Sequence, residues 1–323
     1  MKKTLKVIAF LLLLFVLLIV GLYHKYKSTF TTCALQTQTL ATTTNIWTNF
    51  VWSNNKASMH IPVKVANLPY SFTFQLDLGS PNTIVYGNTL QSVSKKHLEW
   101  QQKISYPAWL LYKMGICNDV SLNFGNYVAN YPACPILKQM GNELNIDTLQ
   151  QNSEVALGTL GVNTFANKVL IIDYPNQRFC ILDTMPKQYT KRLTSIRINN
   201  RGKIILPLIY QKKNYRCLFD SGSSMFELLT TNNLIEHFSI TPNVDTIQAQ
   251  AWGKMHTLTS KILPDTVTLA GAAYPNLKIY ADYRTEAKII NCLDGIDAIT
   301  GNALFWDKVL AIDFKYRRMA IGD

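Results

Sequence analysis

The sequence predicts a mostly β protein of two similar lobes that arose by internal duplication, with an N-terminal transmembrane helix in front. Three observations predict this: a repeated Asp-x-Gly-Ser turn, a second repeat at a constant offset, and an uncharged apolar run near the N-terminus. The turns are Asp77-Leu78-Gly79-Ser80 and Asp220-Ser221-Gly222-Ser223, 143 positions apart. Each follows a short segment with apolar or aromatic residues at every second position, which is the period of a strand. We therefore expect each Asp where a strand ends and a glycine lets the chain turn.

The second repeat supports the duplication. Segments 161–183 and 301–323 share Gly, Phe, Lys, Val, Leu, Ile, Asp, an aromatic residue, Arg and a final Asp at an offset of 140. A weaker pair, 119–125 and 265–271, has an offset of 146. Self-similarity over so long a period indicates two lobes and not a solenoid of short repeats. The other repeated acidic residues are expected to be structural, at strand ends or in turns: Asp119, Asp173, Asp265 and Asp313.

From about Ile61 to Asp323 the chain resembles the pepsin-like aspartic peptidases. In that family each lobe gives one Asp-[Thr/Ser]-Gly loop, and a downstream apolar-apolar-Gly segment braces it. Thr159-Leu160-Gly161 and Ile299-Thr300-Gly301 are similar to those braces. The resemblance implies a bilobal pepsin-like fold of double β-barrels or sheets. It also implies an aspartic endopeptidase that cuts polypeptides in a cleft between the lobes, with no metal and no organic cofactor.

By this resemblance Asp77 and Asp220 form a catalytic dyad. Two carboxyl groups about 3 Å apart cannot both ionise, so the pair shares one proton. The ionised partner takes a proton from the lytic water while the neutral partner hydrogen-bonds the scissile carbonyl. The pKa values of such a dyad belong to the pair and not to either residue.

The resemblance also assigns supporting roles to the neighbours of each Asp. Gly79 and Gly222 leave room for close approach and offer N–H groups to the carboxylates. Ser80 and Ser223 match positions whose hydroxyls bond the outer carboxylate oxygens.

A hydrogen bond between the two loops is expected from one side only. Ser221 matches the position whose hydroxyl reaches the opposite loop, whereas Leu78 occupies the partner position and has no hydroxyl. A lost hydrogen bond is worth on the order of 1 kcal/mol. The alternative is that both Asp turns are structural relics of a lobe pair that no longer cleaves.

The resemblance implies a substrate flap with a tyrosine near its tip. Residues 105–112 are aromatic enough to cover a cleft but lack the glycines usual in that hairpin. Tyr106 is the candidate tyrosine. Ordinary packing of these aromatic side chains is the alternative.

The N-terminal segment is predicted to span a membrane once. Residues 7–23 form a run of 17 residues without charge, flanked by lysines, near the lower length limit for a transmembrane helix. No small-x-small cleavage site follows the run, so we favour an uncleaved signal anchor over a cleavable signal peptide. The body is expected on the extracytoplasmic side, in the cell envelope.

These features divide the chain into four parts. They are the signal anchor at 1–27, a Thr-rich tether at 28–55, an N-terminal lobe at 56–185 and a C-terminal lobe at 186–323. Residues 92–103 and 143–151 are candidate short helices. We expect a monomer.

The formal net charge is +12, and basic residues concentrate near the interlobe region at 187–213. A solvated surface near anionic lipid headgroups explains this more simply than nucleic-acid binding. No nucleic-acid module is present, so we expect no nucleic-acid partner.

Other site chemistries find little support in the sequence. The five histidines lack zinc spacing, and neither a Gly-x-Ser-x-Gly turn nor a Gly-rich phosphate loop is present. Six cysteines permit disulfides without requiring them. A hairpin turning at 125–126 would place Cys117 opposite Cys134, close enough to bridge.

The alternative to a peptidase is a binding module. The same pair of lobes could bind an extended peptide or an envelope partner without cleaving it. Leu78 and the glycine-poor flap motivate this reading.

Overall fold

The computed structural model describes residues 6–21, 38–41, 46–106, 114–125, 127–146, 155–199, 202–231, 235, 242, 245–251, 254–282 and 284–322. Strands are the dominant secondary structure, which confirms the prediction of a mostly β protein.

The strands fall into three sheets. Those of the first half of the chain are β1 (Gln38–Ala41), β2 (Thr48–Asn49), β3 (Val51–Trp52), β4 (Met59–Val65), β5 (Ser71–Leu76), β6 (Ile84–Tyr86), β7 (Ile104–Ser105), β8 (Met114–Phe124), β9 (Tyr127–Leu137), β10 (Val155–Leu160), β11 (Val169–Asp173) and β12 (Arg178–Leu182). Those of the second half are β13 (Thr194–Ser195), β14 (Arg197–Ile198), β15 (Ile204–Tyr210), β16 (Lys213–Phe219), β17 (Leu228–Thr231), β18 (Asp245–Ala251), β19 (Lys254–Ile262), β20 (Val267–Leu269), β21 (Ala272–Tyr274), β22 (Lys278–Asp282), β23 (Ala298–Thr300), β24 (Val309–Asp313) and β25 (Arg318–Gly322).

The first and second lobes are each built on one large sheet. The first lobe has nine strands in the order β1-β9-β6-β10-β5-β4-β8-β7, with β3 beside β4. Because β8 also pairs with β9, this sheet closes on itself. The second lobe has ten strands in the order β18-β19-β22-β17-β23-β16-β15-β20-β21, with β14 beside β15.

The two large sheets share one arrangement around the predicted dyad. In the first lobe β5 leads to Asp77 and lies parallel to β10, the brace strand. In the second lobe β16 leads to Asp220 and lies parallel to β23. Each brace strand is antiparallel to its other neighbour, β6 or β17. The two turns are therefore presented by equivalent elements.

A six-stranded sheet joins the lobes, in the order β13-β25-β24-β11-β12-β2. Its central strands, β11 and β24, are antiparallel, and Val169 pairs with Asp313 while Asp173 pairs with Val309. Since these four residues occupy repeated positions at an offset of 140, the two copies face each other across a local twofold axis. The repeated ion pairs are also equivalent, with Asp173 bound by Arg178 at 2.8 Å and Asp313 bound by Arg318 at 2.9 Å.

The six-stranded sheet buries both of its faces. Alternate side chains of a strand point to opposite faces, and those of the inner face belong to the main core together with Leu76, Leu78 and Phe219. The outer face is covered by the segment after β12, through Met185, Tyr189 and Leu193. The strands that carry the predicted dyad therefore lie on the inner side of this sheet.

Helices are few in the described residues. They are α1 (residues 6–21), α2 (Gly87–Lys96), α3 (Leu98–Gln102) and α4 (Thr285–Asp294), with short 3-10 turns at 54–56, 162–165, 187–192, 221–223 and 303–305. The helix predicted at 92–103 is two helices, because His97 leaves helical geometry at φ −112° and ψ 86°. Of the second predicted helix, residues 143–146 are not helical, and 147–151 lie outside the described residues. The sequence reading missed α4, which ends at Gly295 in the left-handed conformation.

Part of the segment assigned to the tether packs on the body. Strand β2 extends the six-stranded sheet by pairing with β12, and Phe50 N donates to Gln177 O at 2.9 Å. The Trp52 ring stacks on Tyr174 with centroids 6.1 Å apart.

The side chains of α1 are exposed. Among the residues that the structure describes, no helix has both the length and the apolar character needed to cross a bilayer. The signal anchor at 1–27 and the domain boundaries stay predictions.

The β8–β9 hairpin has the predicted register, with Cys117 directly opposite Cys134. Both thiols are buried and in the reduced form, so no bridge joins them in this structure. Burial raises the pKa of the Cys117 thiol to about 12. Cys292, in contrast, is exposed.

We expect an alkylating reagent at neutral pH to label Cys292 at least about tenfold faster than Cys117 in the native protein, because the thiolate is the reactive form. Peptide mapping by mass spectrometry measures both rates. In denaturant the two rates should converge. Equal rates in the native protein, or a Cys117–Cys134 peptide under non-reducing conditions, would contradict the expectation.

Candidate active site

Each predicted catalytic Asp begins the turn that follows its strand, and the brace strand of its own lobe holds its backbone. Asp77 N donates to Leu160 O at 3.0 Å, and Asp220 N donates to Thr300 O at 2.9 Å. Both Asp residues are partly buried, so water can reach them. The brace segments that the sequence identified are therefore in direct contact with the Asp turns.

The two turns meet where the lobes join. A methyl group at Gly79 would overlap the carboxyl group of Asp220, and one at Gly222 would lie 2.8 Å from Cγ of Asp77. Each glycine thus packs against the Asp of the other lobe, and no larger residue fits there. The two carboxyl groups are close enough for the charge of Asp220 to raise the pKa of Asp77.

Backbone N–H groups hold one oxygen of each carboxyl group. Gly79 N and Ser80 N donate to Asp77 Oδ1 at 2.9 and 3.0 Å. Gly222 N donates to Asp220 Oδ1 at 2.9 Å. The hydroxyl of Ser223 donates to Asp220 Oδ2 at 3.0 Å, the bond implied by the resemblance.

The hydroxyl of Ser80 corrects the expectation for that residue. It donates to Asn82 O at 2.8 Å and not to Asp77. Serine hydroxyls commonly bond to a backbone carbonyl nearby in a turn, and this local partner competes with the carboxylate. Ser80 supports Asp77 through its backbone N–H alone.

The pKa of Asp77 is raised well above its ordinary value of 3.8. The first cause is burial, and the charge of Asp220 and the hydrogen bond to it act in the same direction. The N–H groups of Gly79 and Ser80 act in the opposite direction but do not cancel the rise. The raised pKa indicates that the pair of carboxyl groups retains one proton at pH values where an isolated Asp would have lost it.

One side chain ties the two turns together. Leu78 N donates to Ser221 Oγ at 2.8 Å, and Ser221 Oγ donates to Leu76 O at 2.9 Å. Ser221 is buried, so these bonds are shielded from water. Leu78 is buried in the core and returns no hydroxyl, so the connection is one-sided.

A second polar network, absent from the sequence reading, holds the Asp220 turn from behind. Asn302 Nδ2 donates to Ser221 O at 2.9 Å and to Ser224 Oγ at 3.0 Å. Tyr174 of the first half of the chain donates to Asn302 Oδ1 at 2.7 Å, and Ser224 Oγ donates to Lys56 O at 2.7 Å. Asn302 is fully buried and is the centre of this network.

The sequence did carry a signal for Asn302. It follows the brace glycine directly, at a position where the first copy has Val162. A polar residue where its repeat partner is apolar indicates a hydrogen-bonding role that only one copy has.

Tyr86 is a further neighbour of Asp77 that the sequence reading missed. Its hydroxyl lies 2.7 Å from Thr159 Oγ1 of the brace segment. Burial raises the pKa of Tyr86, and the negative charge of Asp77 adds to the rise. Tyr86 is therefore close enough to Asp77 for an ionised Asp77 carboxylate to raise the pKa of the tyrosine hydroxyl.

The flap candidate Tyr106 is exposed. Its ring packs against Gly115, and Lys138 Nζ lies 4.3 Å from the ring centroid. Residues 107–113 lie outside the described residues, so the flap stays a prediction.

The arrangement is suited to activating water. When one carboxyl group of a pair is neutral and donates a hydrogen bond to the other, which is ionised, the pair contains both an acid and a base. Within the described parts of the chain, no group of three or more His, Cys, Asp or Glu side chains is placed to hold a metal ion.

Two solved structures are similar to this chain. An aspartic proteinase from Irpex lacteus has 8% identity and a TM-score of 0.45, over 86% of this chain and 97% of that chain. Basic 7S globulin from soybean has 8% identity and a TM-score of 0.44, over 86% of this chain and 94% of that chain. No family model and no curated protein matches the sequence.

We expect Ser221→Ala to lower the free energy of unfolding by about 1–3 kcal/mol, because it leaves the buried Leu78 N–H without its acceptor. Denaturant titration measures the change. The control is Ser195→Ala on the exposed edge of β13, which should change stability by less than about 0.5 kcal/mol. Equal effects of the two substitutions would contradict the role of Ser221.

We expect the stability of Asp77→Asn relative to the parent protein to increase with pH above about pH 4. The folded-state pKa of Asp77 is raised, so above the unfolded-state pKa of about 4 the unfolded chain releases a proton that the folded chain retains. This destabilises the parent protein progressively until the pH passes the raised pKa, and then the loss levels off. The amide that replaces the carboxyl group in the variant carries no such penalty.

Urea titrations from about pH 3.5 to about pH 8 measure this difference. Asp307→Asn, at a side chain that is 77% exposed, is the matched control and should show a much smaller pH dependence. A difference between Asp77→Asn and the parent that does not change with pH would overturn the shared proton.

Proposed function

We propose that the protein is a membrane-anchored aspartic endopeptidase of the pepsin-like family, which hydrolyses polypeptides with water activated by Asp77 and Asp220. One observation supports this above the others: the two Asp turns meet at the junction of the lobes, where the glycine of each turn packs against the carboxyl group of the other lobe's Asp. Two carboxyl groups that share one proton are what metal-free and cofactor-free peptide hydrolysis requires.

In the proposed reaction Asp220 is the base and Asp77 is the acid. A water molecule between them loses a proton to Asp220 and attacks the scissile carbonyl carbon, while Asp77 gives its proton to the carbonyl oxygen. The resulting tetrahedral diol breaks down when its amine nitrogen takes the proton from Asp220 and one hydroxyl returns its proton to Asp77. No covalent link to the protein forms.

Each turn donates two hydrogen bonds to its own carboxyl group and so holds it in place for these roles. The hydroxyl of Ser223 and the N–H of Gly222 donate to Asp220 and stabilise negative charge there. Ser221 and Asn302 fix the turn so that the acid and base do not have to be oriented anew in each cycle.

The cellular setting is proposed from the sequence. The uncharged run at 7–23 would insert as a signal anchor, with the catalytic body outside the cytoplasm, acting as a monomer. Its partners would be a polypeptide substrate and the membrane.

A second candidate is a binding module that holds an extended peptide without cutting it. Leu78 gives no hydroxyl to the opposite turn, and the hydroxyl of Ser80 bonds to Asn82 and not to Asp77. Both are differences from the family pattern, and each removes a side-chain hydrogen bond that would orient the first-lobe side of the dyad.

We expect the full chain to cleave denatured protein substrates, and we expect Asp77→Asn and Asp220→Asn each to lower the rate by about 10²–10⁴-fold. Because the pKa of Asp77 is raised, activity should persist above the ordinary carboxyl range and fall only when the pair loses its shared proton. Initial rates from acid to neutral pH measure both effects, with Asp307→Asn as the matched control.

The outcomes separate the two candidates. Cleavage that survives both substitutions would eliminate the dyad. Peptide binding without cleavage by any form would favour the binding module.

A further inference from the structure

The segment from 184 to 219 is basic along its whole length. It contains nine Lys and Arg residues and no Asp or Glu. Two of these cations have buried or partly buried partners: Lys203 pairs with Asp294, and Arg216 pairs with Asp297. The others whose exposure the structure describes are exposed to solvent: Lys187, Lys191, Arg192, Arg197, Lys212 and Lys213.

The first three of these exposed cations lie on the outer side of the six-stranded sheet. The 3-10 turn at 187–192 follows Met185 and turns Tyr189 onto the sheet. Lys187, Lys191 and Arg192 lie on the solvent side of the same turn. Because the Asp strands pack on the inner face, the sheet separates these cations from the dyad.

The tip of the β15–β16 hairpin carries two more exposed cations. Lys212 and Lys213 stand at the opposite end of β16 from Asp220. The turn at 270–271 links this hairpin to β13: Ala270 N donates to Pro207 O at 2.9 Å, and a methyl group at Gly271 would lie 2.8 Å from Thr194 Oγ1.

We call the surface formed by these five side chains the basic face: Lys187, Lys191, Arg192, Lys212 and Lys213. Two exposed carboxylates are near it in the described structure. Asp183 is bound by Lys168, and Asp265 accepts a hydrogen bond from Gln211 at 2.9 Å. Five cations against two carboxylates, one of them already paired, leave the face positive.

The chain coming from the apolar run first joins the body at β1, which pairs with β9 of the first-lobe sheet, and it then reaches the six-stranded sheet at β2. Strand β2 forms the edge next to β12, and Ile46 and Trp47 just before it are 46% and 37% exposed. The 14 residues between Tyr23 and Gln38 could extend over roughly 50 Å. A connection of that length does not determine which side of the body faces the bilayer, so a second contact is needed to orient it.

We propose that the basic face binds anionic lipid headgroups, so that the outer side of the six-stranded sheet rests on the membrane and the Asp turns face away from it. Clustered Lys and Arg near an anionic leaflet add attraction that falls off within a Debye length. The proposal uses the membrane attachment proposed above but not the catalytic dyad. A long polypeptide could then approach the junction of the lobes from the side away from the lipid.

The test is lysine protection on the full chain reconstituted in vesicles. One preparation uses phosphatidylcholine alone, and the other adds about 30% phosphatidylglycerol. An amine-reactive label and peptide mass spectrometry give the modification rate of each lysine. We expect the rates of Lys187, Lys191, Lys212 and Lys213 to fall at least about threefold in the anionic vesicles at low salt and to recover at high salt. Lys95 on α2 and Lys288 on α4 should not change.

A matched pair of triple variants gives the control. Lys187→Gln/Lys191→Gln/Arg192→Gln should abolish the lipid-dependent protection of Lys212 and Lys213. Lys95→Gln/Lys96→Gln/Lys288→Gln removes the same charge elsewhere and should leave that protection intact.

Three results would overturn the proposal: equal labelling in both vesicle types, equal effects of the two triple variants, or protection of Lys187 by added duplex DNA or RNA but not by anionic vesicles. Membrane attachment is scored separately by flotation. A chain that fails to float with neutral vesicles contradicts the anchor, whereas flotation with anionic vesicles alone still supports the basic face.

Discussion

The proposed site depends on bringing two like carboxyl groups together and keeping them there. Two unit charges about 4 Å apart at an effective dielectric of about 20 repel each other by roughly 4 kcal/mol. One proton shared by the pair removes most of this repulsion and replaces it with a hydrogen bond between the two groups. The fold must also hold the two turns in contact. The antiparallel pairing of β11 with β24 does this at long range, because it fixes the relation of one lobe to the other.

The duplication makes the backbone of the site symmetric, but the side chains around the two Asp residues differ. Asp220 receives a hydroxyl from Ser223, whereas the matching hydroxyl of Ser80 turns to Asn82. Asn302 anchors the Asp220 turn, while the first copy has Val162 at that position. Each carboxyl group still receives two hydrogen bonds from its own turn, Asp77 from two backbone N–H groups and Asp220 from one N–H group and one hydroxyl. The two copies of the lobe have thus diverged in the kind of donor that each offers, and not in the number.

The sequence predicted the parts of the structure that repeats and strand periodicity encode. The Asp turns, their brace segments and the Cys117–Cys134 register all follow from local pattern. It could not predict which acceptor the Ser80 hydroxyl would choose, because the two candidates differ only in side-chain rotamer. Nor could it find the bond from Ser224 to Lys56, since those residues are 168 positions apart and neither belongs to a repeated motif. The sequence also did not predict the break at His97. The backbone there is not helical, but the residue pattern that predicted a helix continues through it.

Leu78 shows how stability and orientation can be separated in such a site. Burying a leucine side chain stabilises a fold by roughly 1.5–3 kcal/mol, which is at least as much as one hydrogen bond contributes. Replacing a hydroxyl by this side chain therefore need not weaken the contact between the lobes. Apolar contact has no preferred direction, however, so the angle between the turns must be set by other groups. Those groups are the two bonds of the Ser221 hydroxyl and the close approach of Gly79 to Asp220. Directional control of the dyad thus comes from Ser221, the two turn glycines and the Asn302 network, while the buried core beneath the turns holds the lobes together.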